Sequence, residues 1–375
     1  MTSAKILVGD VRQRLAEIES GSVQCVVTSP PYWGLRDYGT ATWIGGSEEC
    51  DHKGKPLATR ANVNKNTGNG PDKKNAEIAE FYRETCGKCG AFREDDQIGL
   101  EQTPGEYVAE MVKVFDDVHR ILADDGVVWL NLGDSYASFR DGKATPDTTR
   151  NGSTGTLVPK GSASNRMASS FANSAVKHKD LVGIPWRVAF ALQEAGWYLR
   201  QEIIWHKPNP MPESVTDRCT KSHEHVFLLT KSSRYFFDAE AIKEPAKWAD
   251  DKRNGAGRLT YDGKRQGEPG QGQEAFVSIK ENRNKRSVWT IPTRPFSGAH
   301  FAVMPEALVE PCVLAGSRPG DLVLDPFTGS GTVAVVALRH GRNYIGTELN
   351  AEYASIAEQR ILEENPLYYE VEVLK

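Results

Sequence analysis

Leu324-Asp-Pro-Phe-Thr-Gly-Ser-Gly-Thr332 decides the fold. It follows the apolar run Asp321-Leu-Val-Leu324 and leads into Val333-Ala-Val-Val-Ala-Leu-Arg339. A short buried strand therefore turns directly into a helix, which Gly341 closes. Gly329 and Gly331 let the backbone turn tightly and come close to a ligand. The next apolar run, Asn343-Tyr-Ile-Gly-Thr347, is a second strand and ends at Glu348. In strand–loop–helix sites for adenosine cofactors, an acid about 20 residues beyond the loop holds the ribose hydroxyls. Glu348 stands in that place relative to Asp325.

The loop has no Gly-Lys-Ser/Thr, which excludes a Walker loop, and it lacks the third glycine that a dinucleotide pyrophosphate needs. A carboxylate at the strand end, Asp325, suits an ammonium group. A ligand that carries both an amino acid and a ribose is S-adenosylmethionine. Asp325, Pro326, Phe327, Gly329, Ser330, Gly331, Thr332 and Glu348 are the candidate cofactor residues.

Working outward, the same strand–helix alternation recurs. Ile6–Val8 and Val23–Val27 read as buried strands. Thr103-Pro-Gly-Glu106 reads as a helix start, with Thr as cap, Pro in the first turn and Glu reaching back. Apolar residues then fall at helical spacing from Tyr107 to Leu122, and Val127–Leu132 follows as a strand. Helices are read at 185–199, 304–315, 333–339 and 351–363, and strands at 201–205 and 225–230. The class is α/β with a mostly parallel sheet.

The chain has 375 residues, 39% hydrophobic and 26% charged, so it buries a real core. Its net charge of −4 excludes a globally basic protein. No apolar run is long enough for a membrane span, and Met1 to Asp10 has no signal-peptide pattern. Six cysteines are too few for a disulfide scaffold, which points to a reduced, cytoplasmic setting. The acidic balance hides two basic, loop-like segments. Residues 138–179 carry seven basic and two acidic residues, and residues 243–286 carry eleven and seven.

Thr28-Ser-Pro-Pro-Tyr32 follows its strand directly. Two prolines fix the backbone and leave carbonyls without local amide partners. Such a turn presents the Ser29 hydroxyl and the Pro30 carbonyl as acceptors toward a planar amine, and Tyr32 can stack on a heterocycle.

Together the two motifs resemble the amino-methyltransferases of DNA. Thr28-Ser-Pro-Pro-Tyr32 is similar to their motif IV, and Asp325-Pro-Phe-Thr-Gly-Ser-Gly-Thr332 to motif I, the S-adenosylmethionine loop. Motif IV comes first, as in the β class. Gly9-Asp10 falls where that family has its motif III acid beside the adenine, and His300–Leu314 resembles motif X. The resemblance implies a Rossmann-like methyltransferase fold with a seven-stranded sheet and helices on both faces. It makes Ser29, Pro30, Pro31 and Tyr32 catalytic and adds Asp10 and Thr28 to the cofactor site. It also implies double-stranded DNA as substrate, prokaryotic or phage origin, and a cognate restriction endonuclease as a candidate partner in a restriction-modification pair. Ser-Pro-Pro-Tyr is typical of cytosine-N4 enzymes, with adenine-N6 as the alternative. No Pro-Cys motif occurs, so carbon-5 chemistry is disfavoured. Methyltransferases that act on protein glutamine place the cofactor loop before the Pro-Pro motif, the reverse of the order here.

A base inside a duplex must be flipped to be reached. The two basic segments are the candidate phosphate clamps. The family's recognition region maps to 238–290, where Arg253, Arg258, Lys264, Arg265, Arg283, Lys285 and Arg286 are candidate DNA contacts. The segments then divide as 1–44 and 101–237 for the catalytic domain with a mobile loop at 138–179, 238–290 for recognition, and 291–375 for the cofactor.

Residues 45–100 interrupt this order as an insertion poor in apolar residues. Cys86-Gly-Lys-Cys89 has the spacing of a zinc knuckle, and Cys50-Asp-His52 completes a Cys3His set for one structural zinc. His119 and His178 are alternative fourth ligands. A metal would substitute for the missing core of the insertion.

Overall fold

Every residue of β2 (Val23–Thr28) is buried. A strand buried along its whole length, without alternation, belongs in the middle of a sheet covered on both faces. The computed structural model describes residues 2–34, 40–47, 49–52, 85–137, 176–177, 179–246, 282–293, 303–364 and 369–374. Most of the two basic segments lies outside these residues, including Arg253, Arg258, Lys264, Arg265 and His178.

Among the described residues, nine strands form the main sheet: β1 (Thr2–Val8), β2, β5 (Leu122–Leu132), β6 (Tyr198–His206), β7 (His223–Thr230), β10 (Val288–Thr290), β11 (Leu322–Asp325), β12 (Asn343–Glu348) and β13 (Tyr369–Leu374). The other four strands make two small antiparallel ribbons. β3 (Thr42–Ile44) pairs with β4 (Phe92–Glu94), and β8 (Glu244–Pro245) with β9 (Asn282–Arg283). In the main sheet the order is β10-β6-β7-β5-β2-β11-β12-β1-β13. The seven strands expected are thus joined by edge strands at both ends. β10 has three residues, too few to show a period. β13 does alternate, apolar and acidic, from Tyr369 to Val373, but lies beyond the last helix and is not among the strands read from the sequence. All neighbours run parallel except those of β7, which is antiparallel to both β5 and β6.

Helices cover both faces. α1 (Val11–Arg14), α2 (Pro104–Ile121) and α3 (Ile184–Glu194) contribute to one apolar cluster, with Tyr107, Phe115, Val188 and Leu192 fully buried. α4 (Glu306–Gly316), α5 (Thr332–Arg339) and α6 (Ala351–Glu364) contribute to the other, with Val309, Val313, Ala337 and Ile361. α3 is shorter than its sequence pattern suggested, because Gly196 breaks it with φ +106° and the chain from Tyr198 enters β6.

α2 shows why these helices form where they do. Thr103 Oγ1 accepts from the Glu106 amide at 3.2 Å, and Glu106 Oε2 accepts from the Thr103 amide at 3.0 Å. This reciprocal cap satisfies two amides that a helix start otherwise leaves open. Its buried face, Tyr107, Met111, Val114, Phe115 and Val118, then packs on the sheet.

Phe115 has no exposed surface and meets the Trp197 ring edge-on at 6.3 Å between centroids. Phe115→Ala should cost about 3–5 kcal/mol, against about 1 kcal/mol for removing the cap with Thr103→Ala. Urea unfolding midpoints of the two variants check the ranking, and equal shifts would mean that the α2 packing has been misjudged.

Candidate functional site

The two motifs sit at the carboxyl ends of neighbouring strands. β2 and β11 are parallel, with Cys25 opposite Val323 and Val26 opposite Leu324. Ligands of open α/β sheets bind at this edge, where the chain order reverses. The Thr28 hydroxyl donates to Asp325 Oδ1 at 2.7 Å, so the last residue of one strand holds the last residue of the other. Thr28 is fully buried.

Beside this contact lies a cleft open to solvent. Asp10, Ser29, Pro31, Asp325, Pro326, Phe327, Gly329, Ser330, Thr332 and Glu348 line it, together with Thr40, Asp96, Gln97, Ile98, Met304 and Tyr353. Four of the residues assigned from sequence are not among the lining. Thr28 is turned onto Asp325. Gly331 caps α5 with φ +78°, and a side chain there would come within 2.8 Å of Ala357 Cβ. Pro30 and Tyr32 are the two remaining residues of the motif IV turn.

The Phe327 amide donates to Asp325 Oδ1 at 3.0 Å and the Gly329 amide to Glu348 Oε2 at 2.8 Å, so both acids fix the loop as well as facing the cleft. Burial raises Asp325 to about 7, only partly offset by the Thr28 and Phe327 donors. Burial also raises Glu348, against the Asn350 and Gly329 amides. Asp10 is different. Burial pushes it up, but Arg12 more than offsets this, through its amide at 2.8 Å and its guanidinium, and holds the acid below its usual value.

Behind Ser29 is a buried polar network. The Ser29 hydroxyl is 3.3 Å from the Tyr32 hydroxyl, which donates to Glu224 Oε2 at 2.7 Å. Asn131 Nδ2 lies 2.8 Å from Tyr32 Oη, 3.1 Å from Glu224 Oε2 and 3.3 Å from Ser29 Oγ. The Lys207 ammonium pairs with the other Glu224 oxygen. Burial raises Glu224, but Lys207 overrides it and keeps the carboxylate ionised. Burial and that negative charge push the Tyr32 phenol well above its usual value. The Tyr32 proton thus points at Glu224 and the Ser29 proton at Tyr32, which leaves a Ser29 lone pair toward the cleft. Glu224 carried no signal in the sequence, since only the antiparallel return of β7 brings it here. Nearby, the Asp134 carboxylate accepts from the Gly183 and Ile184 amides at 3.0 and 3.1 Å and starts α3. His225 pairs with Glu202 at 2.6 Å.

Comparison with known proteins agrees with this geometry. A DNA methylase family model, covering both N6 and N4 enzymes, matches residues 23–359. The chain belongs to that family. The Type II methyltransferase M.SmaI of Serratia marcescens is 41% identical over 366 residues, which is 96% of this chain and 92% of that protein. M.Cfr9I of Citrobacter freundii is 38% identical, over 96% and 88%. The structure of a DNA modification methylase from Thermus thermophilus, TTHA0409, complexed with S-adenosyl-L-methionine, has a TM-score of 0.51 at 21% identity, over 99% of this chain and 100% of that one. The cytosine-N4-specific PvuII DNA methyltransferase gives 0.54 at 16%, over 97% and 88%. At these identities both structures show the shared fold.

A second group of side chains meets outside the cleft. The ligand atoms of Cys50, His52, Cys86 and Cys89 all lie within 4.8 Å of one another. Cys50 Sγ is 3.8 Å from Cys86 Sγ, and Cys89 Sγ is 3.6 Å from His52 Nδ1. Four ligands around one tetrahedral zinc, with bonds of about 2.0–2.3 Å, stand roughly 3.5–3.8 Å apart. The residues therefore fit the ion. Trp43 stacks on His52 at 4.9 Å and 9° and orients its ring. Backbone amides at Ser47 and Ala91 lower the Cys89 thiol to about 7, toward the thiolate a metal needs. His119, the alternative ligand among the described residues, packs edge-on against Trp197 at 5.0 Å instead.

Of the candidate DNA contacts that are described, Arg283 and Arg286 both hold Glu244 Oε1, at 2.9 and 2.7 Å. Lys285 lies over the Trp289 ring at 5.0 Å.

The Asp325 carboxyl gives a pH signature. It binds its proton more tightly folded than unfolded, so its contribution to stability is greatest below about 4 and is lost as pH rises toward about 7. Asp325→Asn should remove that part of the pH dependence. Thermal unfolding of both proteins between pH 4 and 7 checks it, and parallel curves would show that Asp325 is not buried as a neutral acid.

Proposed function

We propose that the chain is a Type II DNA methyltransferase that uses S-adenosylmethionine to methylate the exocyclic amine of a flipped base, and that the base is cytosine, at N4. What carries the proposal is the meeting of Ser29 and Asp325 on one cleft, through neighbouring strands tied by Thr28. The Type II relatives, which this chain matches over nearly its whole length, support it.

S-adenosylmethionine supplies a methyl group on a sulfonium, which leaves as a neutral thioether. Asp325 would hold its ammonium, Glu348 its ribose hydroxyls and Asp10 its adenine edge. The Ser29 oxygen, with its own proton turned toward Tyr32, accepts a hydrogen bond from the base amine, and the Pro30 carbonyl accepts a second. Both bonds draw the nitrogen out of conjugation with the ring and aim its lone pair along the cleft. Tyr32 and Asn131, fixed by Glu224, keep the Ser29 oxygen in its acceptor role. Nitrogen gains the methyl and then loses one proton, so no covalent enzyme intermediate is needed.

Cytosine is preferred because residue 29 is serine in a Ser-Pro-Pro-Tyr turn. Adenine-N6 is the second candidate, since the exocyclic amine of adenine is delocalised in the same way. The Cys50, His52, Cys86 and Cys89 group would hold one zinc in a structural role, because the sulfonium needs no Lewis acid.

Three measurements test this. Mass spectrometry of nucleosides from mixed-sequence DNA, after incubation with the protein and S-adenosylmethionine, should find N4-methylcytosine; N6-methyladenine would keep the chemistry and overturn the base. Ser29→Ala should slow methyl transfer by about 10²-fold or more while changing S-adenosylmethionine affinity little, and equal losses would put Ser29 in the cofactor site instead. Metal analysis should give one zinc per chain, lost in the Cys86→Ser, Cys89→Ser variant.

A further inference from the structure

The Cys/His group and the cleft share one stretch of chain. The stretch leaves the group at Ala91, which has no exposed surface, and crosses the protein surface as β4. The β3–β4 ribbon has three residues per strand, and Ile44 and Phe92 on it are more than half exposed. A ribbon this short has no independent stability. Two things close it. At one end is the Cys/His group. At the other, Arg93 turns inward, its side chain 5% exposed, and Nη2 lies 3.1 Å from Asp95 Oδ2, on a side chain 8% exposed.

Asp95 passes the constraint on. Its Oδ1 accepts from Thr40 Oγ1 at 2.9 Å and from the Gln97 amide at 3.3 Å. Asp96, Gln97 and Ile98 of this stretch line the cleft, and so does Thr40, just ahead of β3. The Asp96 carbonyl accepts from Arg12 at 3.2 Å, the same guanidinium that holds Asp10. Gly99 then accepts from the Gly34 amide at 2.7 Å, two residues past the motif IV tyrosine. Removing one partner of a buried ion pair leaves an uncompensated charge, so Arg93 and Asp95 hold each other in place only while the ribbon keeps Arg93 aimed inward.

Taking the cleft as the S-adenosylmethionine site, we propose that Arg93 is a positioning residue that makes cofactor affinity depend on metal occupancy of the Cys50–His52–Cys86–Cys89 group. With the ion bound, the ribbon is closed, Arg93 stays on Asp95, and the wall from Asp96 to Ile98 stands. Without it the ribbon opens and the wall loses its anchor, although no metal ligand touches the cleft.

The test is calorimetric binding of S-adenosylmethionine to the full-length protein as purified, after chelation, and as Arg93→Met and Arg93→Lys, with metal content and far-ultraviolet dichroism recorded for each. Chelation and Arg93→Met should each weaken binding by roughly tenfold or more, the scale of losses when groups supporting a site are removed. Arg93→Met should keep its metal, and Arg93→Lys should recover part of the affinity. In turnover, KM for S-adenosylmethionine should rise more than kcat falls. Unchanged affinity in the chelated, still folded protein, or in Arg93→Met, would overturn the coupling and leave the proposed activity standing. A protein purified without metal overturns the coupling too. No binding to the metal-loaded wild type would instead remove the cofactor assignment on which it stands.

Discussion

A single hydrogen bond, from the Thr28 hydroxyl to Asp325, lies where everything else meets. It joins two residues 297 positions apart, and both partners are buried. It forms because β2 and β11 are neighbours in register, and it aligns the ends of those strands so that one turn offers a hydroxyl and the other a carboxyl to the same space. A buried carboxyl without that donor would be far more costly to hold there. The sheet thus sets the distance between the two chemistries before any ligand arrives.

A second layer of support lies behind it. Glu224, Asn131, Tyr32 and Lys207 form a polar network in which each proton has a direction. Networks of this kind rigidify what they touch, because a half-made one is worse than none. The consequence for Ser29 is chemical as well as mechanical, since its role as acceptor depends on where its neighbours place their protons.

Much of this was legible in the sequence. Gly329 and Gly331 between a strand and a helix, with Glu348 one strand later, gave away the loop and its class of ligand. Thr103-Pro-Gly-Glu106 gave away a helix start that the structure builds with both reciprocal bonds. Cys86-Gly-Lys-Cys89 with Cys50 and His52 predicted a cluster, and the four ligand atoms do converge. What stayed hidden depends on tertiary pairing. Glu224 and Asn131 meet only because β7 runs against its neighbours. The ion pairs of Arg283 and Arg286, two of the candidate DNA contacts, with Glu244 likewise leave no mark in the sequence. The inner wall at 95–98 read as the end of a polar insertion, because a few buried residues in a loop leave no period to detect.

The order of strands also bears on how the molecule is made. β1 lies between β12 and β13, and β2 between β5 and β11, so early segments of the chain are interleaved with late ones. During synthesis from the N-terminus, β1 has no sheet neighbour until the ribosome has passed residue 343, and β2 has one side open until residue 322. Contacts this distant in sequence slow folding and leave apolar strand edges exposed for longer. The cleft therefore comes into being late, and a still-growing chain holds the Ser-Pro-Pro-Tyr turn without the loop that would face it.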